Sequence, residues 1–310
     1  MNATDPVIPA WQYTLVSSVI FVVGGLGVCW NALAILVVWR NPILKNSFGL
    51  LCVSHSIANL GVLIVFLSWC GPSTAMKHNS SVSTSLLGKR LGQINIFFWD
   101  ACVYSHLAIS VNRLITMSFQ QRASTILSVR NTCFVLAVVW SLGAAHATPY
   151  FWTDNCFIVY NSFTFTWDFA STECGRMVSI YFDYYTGVAV FLCLTCMDFS
   201  SFYQLRKMNK TVSQGQSGSF RSGRRKIEQR FFIQTVIQGS IFFYELFNFY
   251  YLSSLNTDRL YVYFTTTFAW EICHALDGLV VLAFHFRGAF CRRPQSRSTI
   301  VVSTASASQL

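Results

Sequence analysis

Seven stretches of the chain are long and apolar enough to cross a lipid bilayer, at about residues 14–39, 48–70, 91–117, 132–152, 177–204, 231–255 and 261–286. Spanning the hydrocarbon core takes roughly 20 mostly apolar residues per helix, so the expected fold is an all-α membrane protein, a seven-transmembrane helix bundle. Polar side chains recur inside most of the windows. A helix facing only lipid would not tolerate them, whereas a bundle with a polar interior would. Only 11% of the residues are charged, against about a quarter in a soluble domain. Residues 1–290 therefore read as one seven-span domain, and 291–310 as a disordered cytoplasmic tail.

Charge sets the expected orientation. With the N-terminus outside and the C-terminus inside, 17 of the 22 Lys and Arg residues fall in cytoplasmic loops or the tail, eight of them between Arg206 and Arg230. Lys77, Lys89, Arg90, Arg176 and Arg259 are the five left outside. This is the positive-inside bias, and it accounts for the net charge of +10 without nucleic acid as a partner. The first twelve residues hold no Lys or Arg, so no cleaved leader is expected and the first window stays as a span. The sequons at Asn2 and Asn79 both fall outside and are the glycosylation candidates. A Gly/Ser-rich stretch, 214–223, leads into the cluster Arg224-Arg225-Lys226 in the third inner loop, a topogenic charge or a contact with anionic lipid or a cytoplasmic partner.

The 11 cysteines are too scattered for a disulfide scaffold. Cys70, Cys156 and Cys174 lie near the oxidising outer side and are the disulfide candidates, their pairing left open. Between the last two, Phe163, Phe165 and Trp167 alternate with Thr164, Thr166 and Asp168, the pattern of a β-hairpin. The second outer loop is thus expected to fold as a lid. Cys291, just beyond the last span, is a palmitoylation candidate.

The third span ends in His106-Leu-Ala-Ile-Ser-Val-Asn112-Arg113-Leu114. An Arg at the foot of the third of seven helices resembles the rhodopsin-like receptors, as do Asn31, Ala58-Asn59-Leu60 and Trp140. The closer likeness is to the nematode serpentine chemoreceptors of the Srx class. It is carried by Asn41-Pro-Ile-Leu-Lys-Asn-Ser-Phe-Gly-Leu-Leu-Cys-Val-Ser-His55-Ser-Ile-Ala-Asn59, by Tyr104-Ser-His106 through Arg113, by Glu173-Cys174 and by His274-Ala-Leu-Asp277-Gly278. It runs from about residue 20 to 290. There are departures from the wider superfamily: no Cys at the outer start of span three, so that Cys70 is left as a substitute tether, no Pro in span six, and Asp277-Gly278 where Asn-Pro is usual.

The resemblance implies that Asn112 and Arg113 form the G-protein coupling site. Asn112 replaces the usual acidic residue, so the resting ion pair of Arg113 is expected to be weak. It also implies a polar core of Asn31, Asn59 and Asp277, its one carboxylate able to hold a sodium ion or a proton. Glu271, His274 and Asp277 recur every three residues and neighbour one another on span seven. Ionisable groups inside a membrane are functional candidates by default, which gives Asp100, His146, Glu245, Phe268, Glu271 and His274 as the candidate ligand pocket. Asn95 stands where amine receptors of this fold carry an Asp, which argues against an amine ligand, and the absence of Lys from spans six and seven argues against retinal.

The resulting expectation is a chemosensory receptor of the plasma membrane, in sensory cilia, that binds a small extracellular molecule and activates a heterotrimeric G-protein. A peptide or hormone receptor of the same fold, or a transporter or channel, are the alternatives. No enzyme, cofactor or metal is expected: His55, His106, His146 and His274 fall on different spans without ligand spacing.

Overall fold

The computed structural model describes residues 8–77, 80–152, 154–213 and 219–290. Asn2, Asn79, Cys291 and the tail lie outside them. Seven long helical segments follow one another. They are α1 (Ala10–Arg40), α2 (Ser47–Ala75), α3 (Leu86–Ser118), α4 (Val129–Phe151), α5 (Glu173–Met177, Val178–Tyr185 and Thr186–Ser213 in succession), α6 (Ser219–Tyr250) and α7 (Arg259–Thr265, then Thr267–Phe290). Each overlaps one apolar window. Most extend past it because polar caps at their ends continue the helix beyond the apolar run. The sixth is the exception at its far end. There the helix stops at Tyr250 and a 3-10 turn, Leu252–Leu255, takes up the rest of the window.

Local sequence explains where the helices begin. Asn46, Ser85, Ser128, Thr172 and Asp258 each accept a hydrogen bond from a backbone N–H in the first turn of the helix that follows, which satisfies a group the helix cannot. Asn41 does the same for the turn Pro42–Leu44, accepting from the Ile43 N–H at 3.1 Å. The polar half of the Asn41–Asn59 motif is therefore a pair of caps.

The helices pack as a bundle with α3 at its centre, against α2, α4 and α5, while α1 closes the ring between α2 and α7 and α6 bridges α5 and α7. Six of the seven are long and apolar enough to cross a membrane. The sixth is more polar because its buried face carries Glu228, Gln234, Thr235, Gln238, Glu245 and Asn248. Large apolar side chains such as Trp39, Phe134 and Phe199 stand exposed on the outer wall, as lipid-facing positions do. Two apolar layers fill the interior. One is built around Phe66, Trp99, Trp167 and Trp270, the other around Phe48, Leu51, Ile109 and Phe231. Two π-helical segments, Phe66–Cys70 in α2 and Val178–Tyr185 in α5, flank the first layer.

The expected hairpin is present. Strand β1 (Ile158–Asn161) pairs antiparallel with β2 (Thr166–Phe169), Asn161 opposite Thr166. Its turn begins earlier than the alternation suggested. Residues 162–165 reverse the chain, Phe165 takes φ 62° and is fully buried, and Phe163 points outward. Phe163 therefore does not share a face with Phe165 and Trp167, since the turn breaks the two-residue period. β1 lies directly on α3 at Gly92, where an added Cβ would sit 1.9 Å from the carbonyl oxygen of Ile158. A disulfide joins Cys156 to Cys174 across the base of the hairpin, with Cα atoms 5.3 Å apart. Cys70 is a buried free thiol in α2 and not a tether.

Candidate ligand and coupling sites

Beneath the hairpin, Ile158 and Phe169 roof a narrow crevice whose walls include Trp99, Glu245, Tyr250 and Trp270. Trp99 Nε1 donates to Glu245 Oε1 at 2.8 Å. The Trp270 ring lies 5.9 Å from that of Trp167 and 6.5 Å from that of Trp99, both edge-on. Its indole N–H is buried without a hydrogen-bond partner among the described residues. An unsatisfied buried donor in a crevice is what a ligand acceptor would complete. On the hairpin itself, the hydroxyls of Tyr160 and Thr74 lie 2.7 Å apart, and burial pushes the Tyr160 phenol well above its ordinary value.

Of the six residues expected to line one pocket, only Glu245 lines this crevice. The others are dispersed because depth along a helix is legible in sequence but rotation about its axis is not. Asp100 faces α4, with its Oδ1 3.2 Å from His146 Nδ1, while His146 Nε2 meets the Tyr104 hydroxyl at 2.9 Å. Glu271 is fully buried on the other side of α7, between Gly24 of α1 and Leu67 of α2. Phe268 packs on Phe264, ring centroids 5.3 Å apart. A larger groove of about 440 Å³ opens on the outer wall between α5 and α6, and its polar floor includes Asp198, which accepts from Ser110 at 3.4 Å.

His274 belongs to the central polar cluster between the two apolar layers. Asn31 Nδ2 donates to the His274 carbonyl at 3.0 Å and to that of Gly27 at 2.9 Å. Asn59 Oδ1 lies 2.6 Å from His274 Nδ1 and 3.2 Å from the Cys102 thiol. Asp277, expected beside the two asparagines, is instead held by histidines. His55 Nε2 is 2.9 Å and His106 Nε2 3.5 Å from its Oδ2, and Gln238 donates to Oδ1 at 3.4 Å. The histidines thus do not stand apart as their sequence positions suggested. Three of the four converge from α2, α3 and α7, and only His146 remains separate. Gly278 allows α1 to approach here, since a Cβ on it would fall 2.7 Å from Asn31.

At the end of α3 away from the hairpin, about 30 Å beyond Gly92 at 1.5 Å per residue, Arg113 is buried. Its Nη2 donates to Asn112 Oδ1 at 2.5 Å, and its guanidinium sits over the rings of Phe48 and Phe231 at 4.2 and 5.0 Å. The expectation of a weak resting partner does not hold. Glu228 of α6 accepts from Nη1 at 3.0 Å and supplies the carboxylate that Asn112 lacks. In sequence Glu228 is one acid among four basic residues from Arg224 to Arg230 and looks like a solvated charge. Asn112 in turn donates to Ser47 at 2.7 Å, tying α3 to the start of α2.

Comparison with known proteins agrees with this architecture. The family model described as serpentine type 7TM GPCR chemoreceptor Srx matches residues 21–285. Serpentine receptor class X 45 of Caenorhabditis elegans is 23% identical, over 92% of this chain and 82% of its own length. Serpentine receptor class X-43 of the same species is 26% identical, over 86% and 84%. Galanin receptor type 1 of Rattus norvegicus is 23% identical, over 77% of this chain and 70% of its own. The crystal structure of squid rhodopsin superposes with a TM-score of 0.71 at 14% identity, covering 92% of this chain and 86% of that one. The fold is that of rhodopsin, and the chain belongs to the Srx family of serpentine seven-transmembrane GPCR chemoreceptors, receptors and not enzymes.

Proposed function

We propose that the protein is a plasma-membrane chemosensory receptor, displayed on sensory cilia with its N-terminus outside. It takes a small molecule into the crevice under the hairpin and activates a heterotrimeric G-protein at the opposite end. One observation carries the reading. Arg113 is held inside the bundle by Glu228 of α6, so parting α6 from α3 is the motion that frees a cationic side chain toward a partner. The crevice supports the ligand end. Glu245 lies on the same helix as Glu228, so a ligand wedged between Trp99, Trp270 and Glu245 bears directly on the helix that must move. The aromatic walls and the free indole N–H suit a small, partly apolar molecule with a hydrogen-bond acceptor, whose entry must part the walls of a crevice that holds about 20 Å³ as it stands.

A cell assay of G-protein activation tests this. Glu228→Gln should raise ligand-independent activation by about tenfold, as a loss of roughly 1.4 kcal/mol from the resting state would. Asn112→Asp adds a second carboxylate and should lower basal activity, while Arg113→Ala should silence the receptor at normal surface expression. Basal signalling that ignores all three substitutions would remove the coupling role. An endogenous peptide, favoured by the likeness to a galanin receptor, fits the narrow roofed crevice less well. A fluorescent fusion found in internal tissue rather than in cilia would favour that reading.

A further inference from the structure

We propose that His55, Cys102, His106 and Asp277 form a binding site for a divalent transition-metal ion of zinc's chemistry, pinning α2, α3 and α7 together at mid-depth. One ligand atom from each of these four buried side chains lies within 4.8 Å of every other. The known contacts are 2.9 Å from His55 Nε2 to Asp277 Oδ2, 3.5 Å from His106 Nε2 to the same oxygen, and 4.0 Å from His55 Nε2 to Cys102 Sγ. Metal–ligand bonds of about 2.0–2.3 Å in a tetrahedron put neighbouring ligand atoms roughly 3.3–3.7 Å apart. The observed separations bracket that range, so small rotations of the side chains complete the cage.

The donor set selects the ion. Two imidazoles and a thiol are borderline or soft ligands, and a single carboxylate is too few oxygens for sodium, calcium or magnesium. Charge selects it too. A doubly charged ion bound by a thiolate and a carboxylate, with two neutral imidazoles, makes an assembly of no net charge, which a membrane interior tolerates best. Binding releases the thiol proton of Cys102 to water, and a His55 that ligates through Nε2 carries its ring proton on Nδ1. Both imidazoles also serve a hydrogen-bond network around Asp277, and the Cys102 thiol is the ligand that such a network does not use. The surroundings are those of a supported site. Asn59 Oδ1 lies 3.2 Å from Cys102 Sγ, the His106 ring stacks on Phe242, and the His55 and His106 rings meet edge to face at 4.2 Å. A small crevice bordered by Trp99 and Glu245 reaches Cys102, His106 and Asp277, and those two residues also border the crevice under the hairpin.

The test uses full-length receptor in nanodiscs, with Cys29, Cys133, Cys193, Cys196, Cys291 and the neighbouring Cys273 replaced by serine, which leaves Cys52 and Cys70 as the other free thiols among the described residues. Zinc content is measured after dialysis, and cobalt serves as the spectroscopic probe. The expected result is one metal per receptor and a thiolate-to-cobalt charge-transfer band. Cys102→Ser should abolish the band, and His106→Gln should weaken binding by at least about tenfold. Metal retained with the band intact in Cys102→Ser would place the ion elsewhere and overturn the proposal. The parent spectrum decides even if a variant fails to fold, because without a thiolate band the proposal falls.

Discussion

At the residue scale, the molecule concentrates its polar groups where lipid cannot reach. His55 and Asp277 are both almost fully buried and 2.9 Å apart, and removing His55 leaves the carboxylate only its longer contacts with His106 and Gln238. His55→Ala should therefore cost about 3 kcal/mol, read as a lowered unfolding temperature in metal-free detergent, while Cys133→Ser on the lipid face should cost nothing measurable. Individual residue types were legible in the sequence, but their partners were not. Glu228 looked like part of a solvated basic run, yet its burial under Phe231 and Arg113 makes it the partner of greatest consequence. His55 and His106 carried no spacing signal, because ligand geometry built across helices depends on rotation about each axis and on which helices are neighbours.

At the element scale, apolar windows located the seven long helices, and the alternation around Trp167 located the hairpin. Both are local properties, set by hydropathy and period. What was not local stayed hidden: the turn at 162–165, the docking of β1 on Gly92, and the choice of Cys156 rather than Cys70 as the partner of Cys174. Two changes test how the hairpin works. Gly92→Val should push β1 off α3 and abolish ligand-evoked signalling while Glu228→Gln in the same chain still signals without ligand. Cys174→Ser frees a loop spanning 18 residues, worth about 3 kcal/mol of chain entropy, and should expose the hairpin to limited proteolysis in intact cells.

At the scale of the whole molecule, two apolar layers sandwich one polar layer, and the bundle turns the rest of its hydrophobic surface outward. Orientation rests on charge alone, so it carries its own prediction. Asn2→Gln and Asn79→Gln should each remove one glycosidase-sensitive mass step, and Asn209→Gln, in the Asn209-Lys210-Thr211 sequon of the third inner loop, none. A step lost only with Asn209 would invert the topology. The disulfide has a consequence for how such receptors diverge. Because Cys156 bonds to Cys174 in the first turn of α5, and not to α3, the lid is stapled only to the helix that directly follows it. It meets the bundle at a bare patch on Gly92, at hydroxyls of Thr74 and Thr267, and through aromatic contacts such as Trp167 on Trp270. A segment of this kind, carried together with the first turn of α5, can be transplanted or drift in sequence without a matching cysteine in α3. Taste for a new molecule can thus be acquired at the rim while the machinery around Arg113 is inherited unchanged.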